Sequence, residues 1–348
     1  MGVPIRIGII GAGGIVKRRH LPGFRDIEDC EVVAVMNRRR ENAEAVAKEW
    51  NIPHVVDTHA EIYNRDDINV VLIGTTPWLH RDLTLASLEA GKHVFCQARM
   101  AANLAHARDM LEAAEKHKDL VTMVCSAPRA DPVDKYVQKV LADGELGEIR
   151  LVRVQHTNDV FLDPELPLHW RLDAEQSGVQ IHTMGQFVEI VHRWFEPAVS
   201  VSAWGKTFIH QRRDPVTGET KKVEIPETAS ATGQLKNGAQ FIYTFSTLTP
   251  FGEGEKIEIY GSKGALIYTP ANQTLMMGKV GEMEQPRKVE VPPAFQTPWT
   301  VEADFVAAIR ENKPVYPDFR DGLAYMEFME AVNRSIREEK MIHLPLKG

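Results

Sequence analysis

Over its first 125 residues the chain alternates short, continuous apolar runs with longer stretches of helical periodicity. The runs fall at residues 4–10, 31–36, 69–74, 93–96 and 121–124, and helical patterns fall at 42–50, 80–90 and 104–117. Strands that are apolar at successive positions, not at every second one, are covered on both faces. Helices returning between them make those strands parallel. The pattern therefore predicts an α/β domain with a doubly wound parallel sheet over residues 1–125. Gly91 closes the helix at 80–90, as a left-handed C-terminal cap requires.

Beyond this point the grammar changes. Residues 126–147 bridge the halves with a helix around 133–141, followed by a strand pattern at 148–154 and a helix at 185–194. From 200 to 275 short strands alternate with turns at Asn237-Gly238, Gly252-Glu253-Gly254 and Gly261-Ser262-Lys263-Gly264. This predicts an α+β domain over residues 126–348, with an open, largely antiparallel sheet closed by helices at 300–311 and 318–338. Two domains suit a chain of 348 residues, since one core rarely grows past about 250–300. Ligands are expected in a groove at the carboxyl ends of the parallel strands.

A net charge of −7 argues against nucleic acid or an anionic membrane as partner. No apolar run approaches the roughly 18–20 residues of a membrane span, and no targeting segment is read at the N-terminus. Cys30, Cys96 and Cys125 form no C-x-x-C pair, so reduced thiols and a cytoplasmic location are expected. No metal is expected, because none of the usual histidine–glutamate or calcium-loop spacings occurs.

Gly11-Ala12-Gly13-Gly14-Ile15-Val16 follows the first strand and opens a helix. Gly11 allows a tight turn, Gly13 lets the backbone approach a pyrophosphate, and Gly14 and Ile15 begin the helix whose N–H groups would hold it. Such a turn marks a Rossmann-type dinucleotide site, although Val16 stands where a third Gly or Ala is usual; the plain alternative is an ordinary glycine-rich turn. About 20 residues further on, an acid would bind the ribose of NAD. Asn37 stands there instead, followed by Arg38, Arg39 and Arg40. Arginine can clamp a 2′-phosphate that an acid would repel, so NADP is favoured over NAD. Alternatively, the arginines are solvated and Asn37 meets the ribose of NAD.

Several segments in order carry a resemblance: the glycine turn with His20 beyond it, Thr76-Pro77 with His80, and Ala90-Gly91-Lys92-His93-Val94. They continue with Gly144-Glu145-Leu146-Gly147-Glu148-Ile149, Trp170-Arg171, the stretch from Ile257 to Gly264, and Asp321-Gly322-Leu323. Together they resemble the glucose–fructose oxidoreductase / inositol dehydrogenase / rhizopine catabolism (Gfo/Idh/MocA) family over nearly the whole chain. The resemblance implies a nicotinamide cofactor and a sugar-like or cyclitol substrate. It also implies a C-terminal sheet that makes a homo-oligomer. Thr75, Thr76 and Pro77 would border the cofactor, His80 would close over it, and Gln97 would hydrogen-bond a ribose hydroxyl.

The departures concern chemistry. Where that family usually has Glu-Lys-Pro, this chain has Gln97-Ala98-Arg99, and where it has Asp-x-Gly-x-His, this chain has Thr183 and Phe187 around Gly185. The three usual proton-handling residues are missing, and losing such a group typically costs on the order of 10²–10⁴ in rate. Arg99 can orient a substrate but is a poor base. His182 is expected to share a helical face with Gln186, Glu189 and Arg193, and so to be one substitute. His156, Asp159 and His169 are others, with Arg171 to hold substrate. Each histidine also has a bland reading as a half-buried hydrogen bonder. Three functions follow: an NAD(P)-dependent oxidoreductase with rebuilt acid–base residues, a lyase- or hydrolase-type enzyme on a keto-sugar without net redox, or a non-catalytic dinucleotide-binding protein.

Overall fold

The computed structural model describes residues 3–125, 132–296 and 298–347. Part of the expected bridge, residues 126–131, lies outside the described residues. The chain forms two compact units: Met1–Ser126 with Thr300–Leu323, and Ala127–Trp299 with Ala324–Gly348. The first unit thus takes in a late segment besides the residues expected of it.

Six strands build the first unit: β1 (Ile5–Ile10), β2 (Cys30–Met36), β3 (His54–Val55), β4 (Val70–Ile73), β5 (His93–Cys96) and β6 (Thr122–Val124). They form one all-parallel sheet in the order β3-β2-β1-β4-β5-β6. All of β4 is buried, and β1 has a single half-buried position, Arg6, which is why both read as unbroken apolar runs. The strand order reverses between β1 and β4, the switch point at which doubly wound sheets bind ligands.

Around the sheet run α1 (Leu21–Arg25), α2 (Arg40–Trp50), α3 (His59–Tyr63), α4 (Pro77–Glu89) and α5 (Leu104–Lys116). The late helix α9 (Val301–Glu311) packs on α1, and Phe305 meets Phe95 of β5 edge-on at 5.3 Å. Boundaries follow local chemistry. Asn103 caps α5 through the His106 N–H at 2.8 Å, a Thr58/Glu61 capping box starts α3, and Asn51 ends α2 in the left-handed region at φ 55°. The sequence reading has no counterpart for β3 and α3, since two and five residues are too few to show a period.

The second unit is built on β7 (Ile149–Thr157), β8 (Ala198–Lys206), β11 (Thr228–Leu235), β12 (Gln240–Ser246), β13 (Gly254–Gly261), β14 (Gly264–Thr269), β15 (Thr274–Lys279), β16 (Arg287–Lys288) and β17 (Ile342–His343). Their order is β16-β15-β14-β13-β7-β12-β11-β8-β17, and β7–β12 is the parallel pair in an otherwise antiparallel sheet. A separate ribbon pairs β9 (Gln211–Arg213) with β10 (Thr220–Lys222). Asn237-Gly238 turns the β11–β12 hairpin, with Gly238 at φ 91°, and Ser262-Lys263 join β13 to β14.

One face of this sheet meets α8 (Met184–Trp194) and the part of α10 (Phe319–Glu338) that belongs to the unit. Phe187 lies 5.7 Å from Phe245, and Phe328 lies 5.7 Å from Phe241. The opposite face carries Trp204, 70% exposed, Ile242, 41% exposed, and an Arg153–Glu258 pair at 3.2 Å. Helix α6 (Asp134–Ala142) is tied to α8 by the Trp194 indole N–H, which donates to Asp134 at 2.6 Å; a short α7 (Ala174–Ser177) precedes Gly178.

One expectation about α8 is corrected. The helix begins at Met184, and His182 has a left-handed backbone at φ 49°, so His182 is outside the helical face that Gln186, Glu189 and Arg193 share. A residue at positive φ breaks the 3.6-residue repeat on which the spacing argument relied.

Candidate active site

The glycine turn lies at the switch point of the first unit. The Gly11 N–H donates to the Met36 carbonyl at 2.8 Å, and the Ala12 N–H donates to Asn37 Oδ1 at 2.7 Å. Asn37 therefore holds the turn with its side-chain oxygen. Gly11, at φ 91°, is indispensable: an added Cβ would lie 2.9 Å from the Gly74 carbonyl carbon. A Cβ on Gly74 would in turn lie 2.6 Å from Val16 Cγ2. The larger residue at the third fingerprint position is thus accommodated by a glycine on the neighbouring strand end. Gly13 and Gly14 differ from both, since an added Cβ at either would meet nothing within 4 Å. Both are exposed, so their backbone faces open space suited to a phosphate.

At the end of β2, Arg38 and Arg39 are exposed, whereas Arg40 is paired with Glu44 at 2.9 Å and with Asp57. Thr75, Thr76 and Pro77 follow β4 into α4, with Thr76 at the N-cap position. Trp78 in the first turn of α4 is 46% exposed; the sequence reading overlooked it, although an aromatic directly after the Thr-Pro pair was visible.

His80 is fully buried. Its Nε2 lies 3.0 Å from the Thr75 carbonyl, and its Nδ1 lies 3.0 Å from the Arg99 carbonyl and 3.3 Å from Cys96 Sγ. Burial holds its pKa below the usual imidazole value and pushes the Cys96 thiol up, so both are neutral. The ring thus lies between the loop after β4 and the loop after β5, and being neutral it donates from one nitrogen only. Arg99 is itself 1% exposed, enclosed by protein. Gln97 is buried, and its Nε2 lies 3.0 Å from His20 Nε2.

In the second unit the structure brings His156 together with Glu255, Asn158 and Thr183. His156 on β7 pairs in register with Glu255 on β13, and its Nε2 lies 3.5 Å from Glu255 Oε1. Asn158 Nδ2 donates to the same nitrogen at 2.9 Å, so the ring proton is on Nδ1 and is donated to Thr183 Oγ1 at 2.7 Å. Nε2 thus accepts the Asn158 amide and has the Glu255 carboxylate beside it. Glu255 was not legible in advance, since its partner is on another strand and no local motif marks it.

His182 is 5% exposed, and its Nε2 lies 3.1 Å from the Glu227 carbonyl. Asp159 is exposed in the turn beyond β7. Arg171 is half-buried, with its guanidinium 4.4 Å from the centre of the Trp170 ring, and His169 Nδ1 accepts the Arg171 N–H at 3.2 Å. Among the described residues no group of three or more metal-type side chains converges, and no helix is long and apolar enough to cross a membrane.

Comparison with known proteins gives this geometry its context. Residues 5–124 match the oxidoreductase family with an NAD-binding Rossmann fold, and residues 135–267 match the GFO/IDH/MocA C-terminal domain. The chain belongs to the Gfo/Idh/MocA oxidoreductase family. Inositol 2-dehydrogenase of Rhizobium meliloti (strain 1021) is 27% identical over 98% of this chain and 99% of its own. The crystal structure of an oxidoreductase domain protein from Kribbella flavida superposes with a TM-score of 0.88, at 26% identity, covering 98% of this chain and 99% of that one. Levoglucosan dehydrogenase, solved with NADH and L-sorbose, shares the fold with a TM-score of 0.88 at 23% identity, covering 98% and 99%. The first unit of this Gfo/Idh/MocA oxidoreductase is therefore an NAD(P)-binding Rossmann domain.

Proposed function

We propose that this oxidoreductase uses NADP in preference to NAD and acts on a sugar-derived or cyclic hydroxyl/keto substrate, with His156 handling the substrate proton. The carrying observation is the open turn at Gly13 and Gly14, coupled to a β2 end that has two exposed arginines and no acid. The bound dinucleotide supplies a hydride acceptor or donor. Gly13, Gly14 and Ile15 would hold its diphosphate, Arg38 and Arg39 its 2′-phosphate, and Thr75, Thr76 and Pro77 would border its other half. In the oxidative direction a substrate hydroxyl would displace the Asn158 amide and pass its proton to His156 Nε2, with Glu255 stabilising the imidazolium. Arg171 and Asp159 would orient hydroxyls. The names of the relatives, an inositol dehydrogenase and a levoglucosan dehydrogenase, support the substrate class.

Fluorescence titration with NADPH and NADH tests the cofactor choice. NADPH is expected to bind at least about tenfold more tightly, as loss of a charge-assisted phosphate pair would predict, and tighter NADH binding rejects it. A panel of polyols and keto-sugars followed at the nicotinamide absorbance tests the reaction. The missing lysine favours one second reading, turnover without net redox; product detected by mass spectrometry with no change in absorbance would select it. The open face bearing Trp204 and Ile242 supports a homo-oligomer, and three buried cysteines outside any disulfide support a reducing cytoplasm.

A further inference from the structure

The first unit contains a buried polar relay that this reading leaves unused. Glu302, at the start of α9, is 1% exposed, and His20 is fully buried. Glu302 Oε1 lies 2.5 Å from His20 Nδ1, His20 Nε2 lies 3.0 Å from Gln97 Nε2, and Gln97 Oε1 accepts the Ala98 N–H at 3.0 Å. Because the Gln97 oxygen is taken by a backbone amide, the side chain offers its NH₂ to the imidazole. An NH₂ group only donates, so Nε2 accepts and the ring proton is on Nδ1, where it is donated to the carboxylate. Each link dictates the next. Phe95 seats the imidazole edge-on at 5.0 Å, and Gly23 leaves space for the carboxylate, since a Cβ there would lie 2.6 Å from Glu302 Oε2.

A glutamate at position 97, which the family resemblance would lead one to expect, is incompatible with this arrangement. Two buried carboxylates would then flank one imidazole, and each would need a proton donor. We propose that Glu302, acting through His20, is a positioning residue that fixes the Gln97 amide at the carboxyl end of β5. A neutral imidazole has two tautomers, so the relay can also run in reverse. In the exchanged pair Q97E/E302Q, the ring donates from Nε2 to the carboxylate now at position 97 and accepts at Nδ1 from the amide now at position 302.

The test uses the full chain with ¹⁵N-labelled histidine, comparing wild type, Q97E, E302Q and Q97E/E302Q. Long-range proton–nitrogen spectra should show His20 as the Nδ1–H tautomer in wild type and as the Nε2–H tautomer in the double variant. Each single variant should melt lower by on the order of 5–10 °C, as for loss of a buried partner. The double variant should recover to within a few degrees. NADPH affinity should fall about tenfold in E302Q and return in the double variant, a readout that rests on the dinucleotide reading above and that simple loss of packing would not restore. An Nε2–H tautomer or an imidazolium in wild type overturns the relay, as does additive loss in the double variant. If a single variant does not fold, the wild-type tautomer decides. If wild type binds no dinucleotide, the cofactor reading fails while the tautomer and melting results still judge the relay.

Discussion

His156 and Glu255 face each other across β7 and β13, and their roles separate under mutation. His156→Ala should lower kcat by about 10²–10⁴, as loss of a general base does. Glu255→Gln should cost less, about tenfold, because the base remains and only its protonated form loses support. Neither change should move the NADPH dissociation constant. A second residue-scale prediction concerns His192, whose two ring nitrogens are buried without a hydrogen-bond partner and whose ring meets Phe328 edge-on at 5.9 Å. Burial lowers its pKa from 6.5 to about 4. Between these values the unfolded chain binds a proton that the folded chain refuses. Its contribution to stability is therefore complete above pH 6.5 and declines as pH falls toward about 4. His192→Leu should flatten the fall in urea midpoint between neutral and mildly acid pH. Residues at this scale were legible where a turn requires a local pattern, as with Gly11 at its positive φ. Glu255 and Glu302 were not, because each is defined by a partner distant in the chain, 282 residues away for His20 and Glu302.

At the scale of elements, the two ends of the glycine turn should respond oppositely to the same kind of change. Gly11→Ala places a Cβ against backbone at a positive φ and should destabilise by roughly 1–3 kcal/mol, visible in thermal melts. Gly13→Val enters open space, so melting should hold while NADPH and NADH affinity drop, with the Trp78 fluorescence available as a reporter. The parallel strands were readable because two-sided burial writes an unbroken apolar run, and the long helices because eleven or more residues carry a period. His182 was misplaced for a physical reason: spacing presumes a continuous helix, and one left-handed residue ends that presumption. The short elements around residues 54–63 wrote no pattern at all.

For the whole molecule, the sequence divided the chain once, whereas the first compact unit closes with Thr300–Leu323. A late amphipathic helix does not announce which core it joins. Its contribution is concrete, since it brings Phe305 to Phe95 and Glu302 to His20. A fragment of residues 1–125 should therefore melt without cooperativity or aggregate, whereas the same fragment fused to residues 300–323 should give a sigmoidal transition by circular dichroism. The open sheet of the second unit makes a separate prediction. If copies of the chain pair there, Trp204→Glu with Ile242→Lys should lower the mass measured by light scattering while melting stays within a few degrees.

The discontinuity of the first unit also bears on biosynthesis. A ribosome releases β1 to β6 early, yet the helix that shields Phe95 and brings His20 its carboxylate emerges only after nearly all of the second sheet has been made. Throughout that interval the nascent Rossmann sheet has an apolar flank without its native cover, and chaperones that recognise exposed aromatic surface have a defined period in which to act.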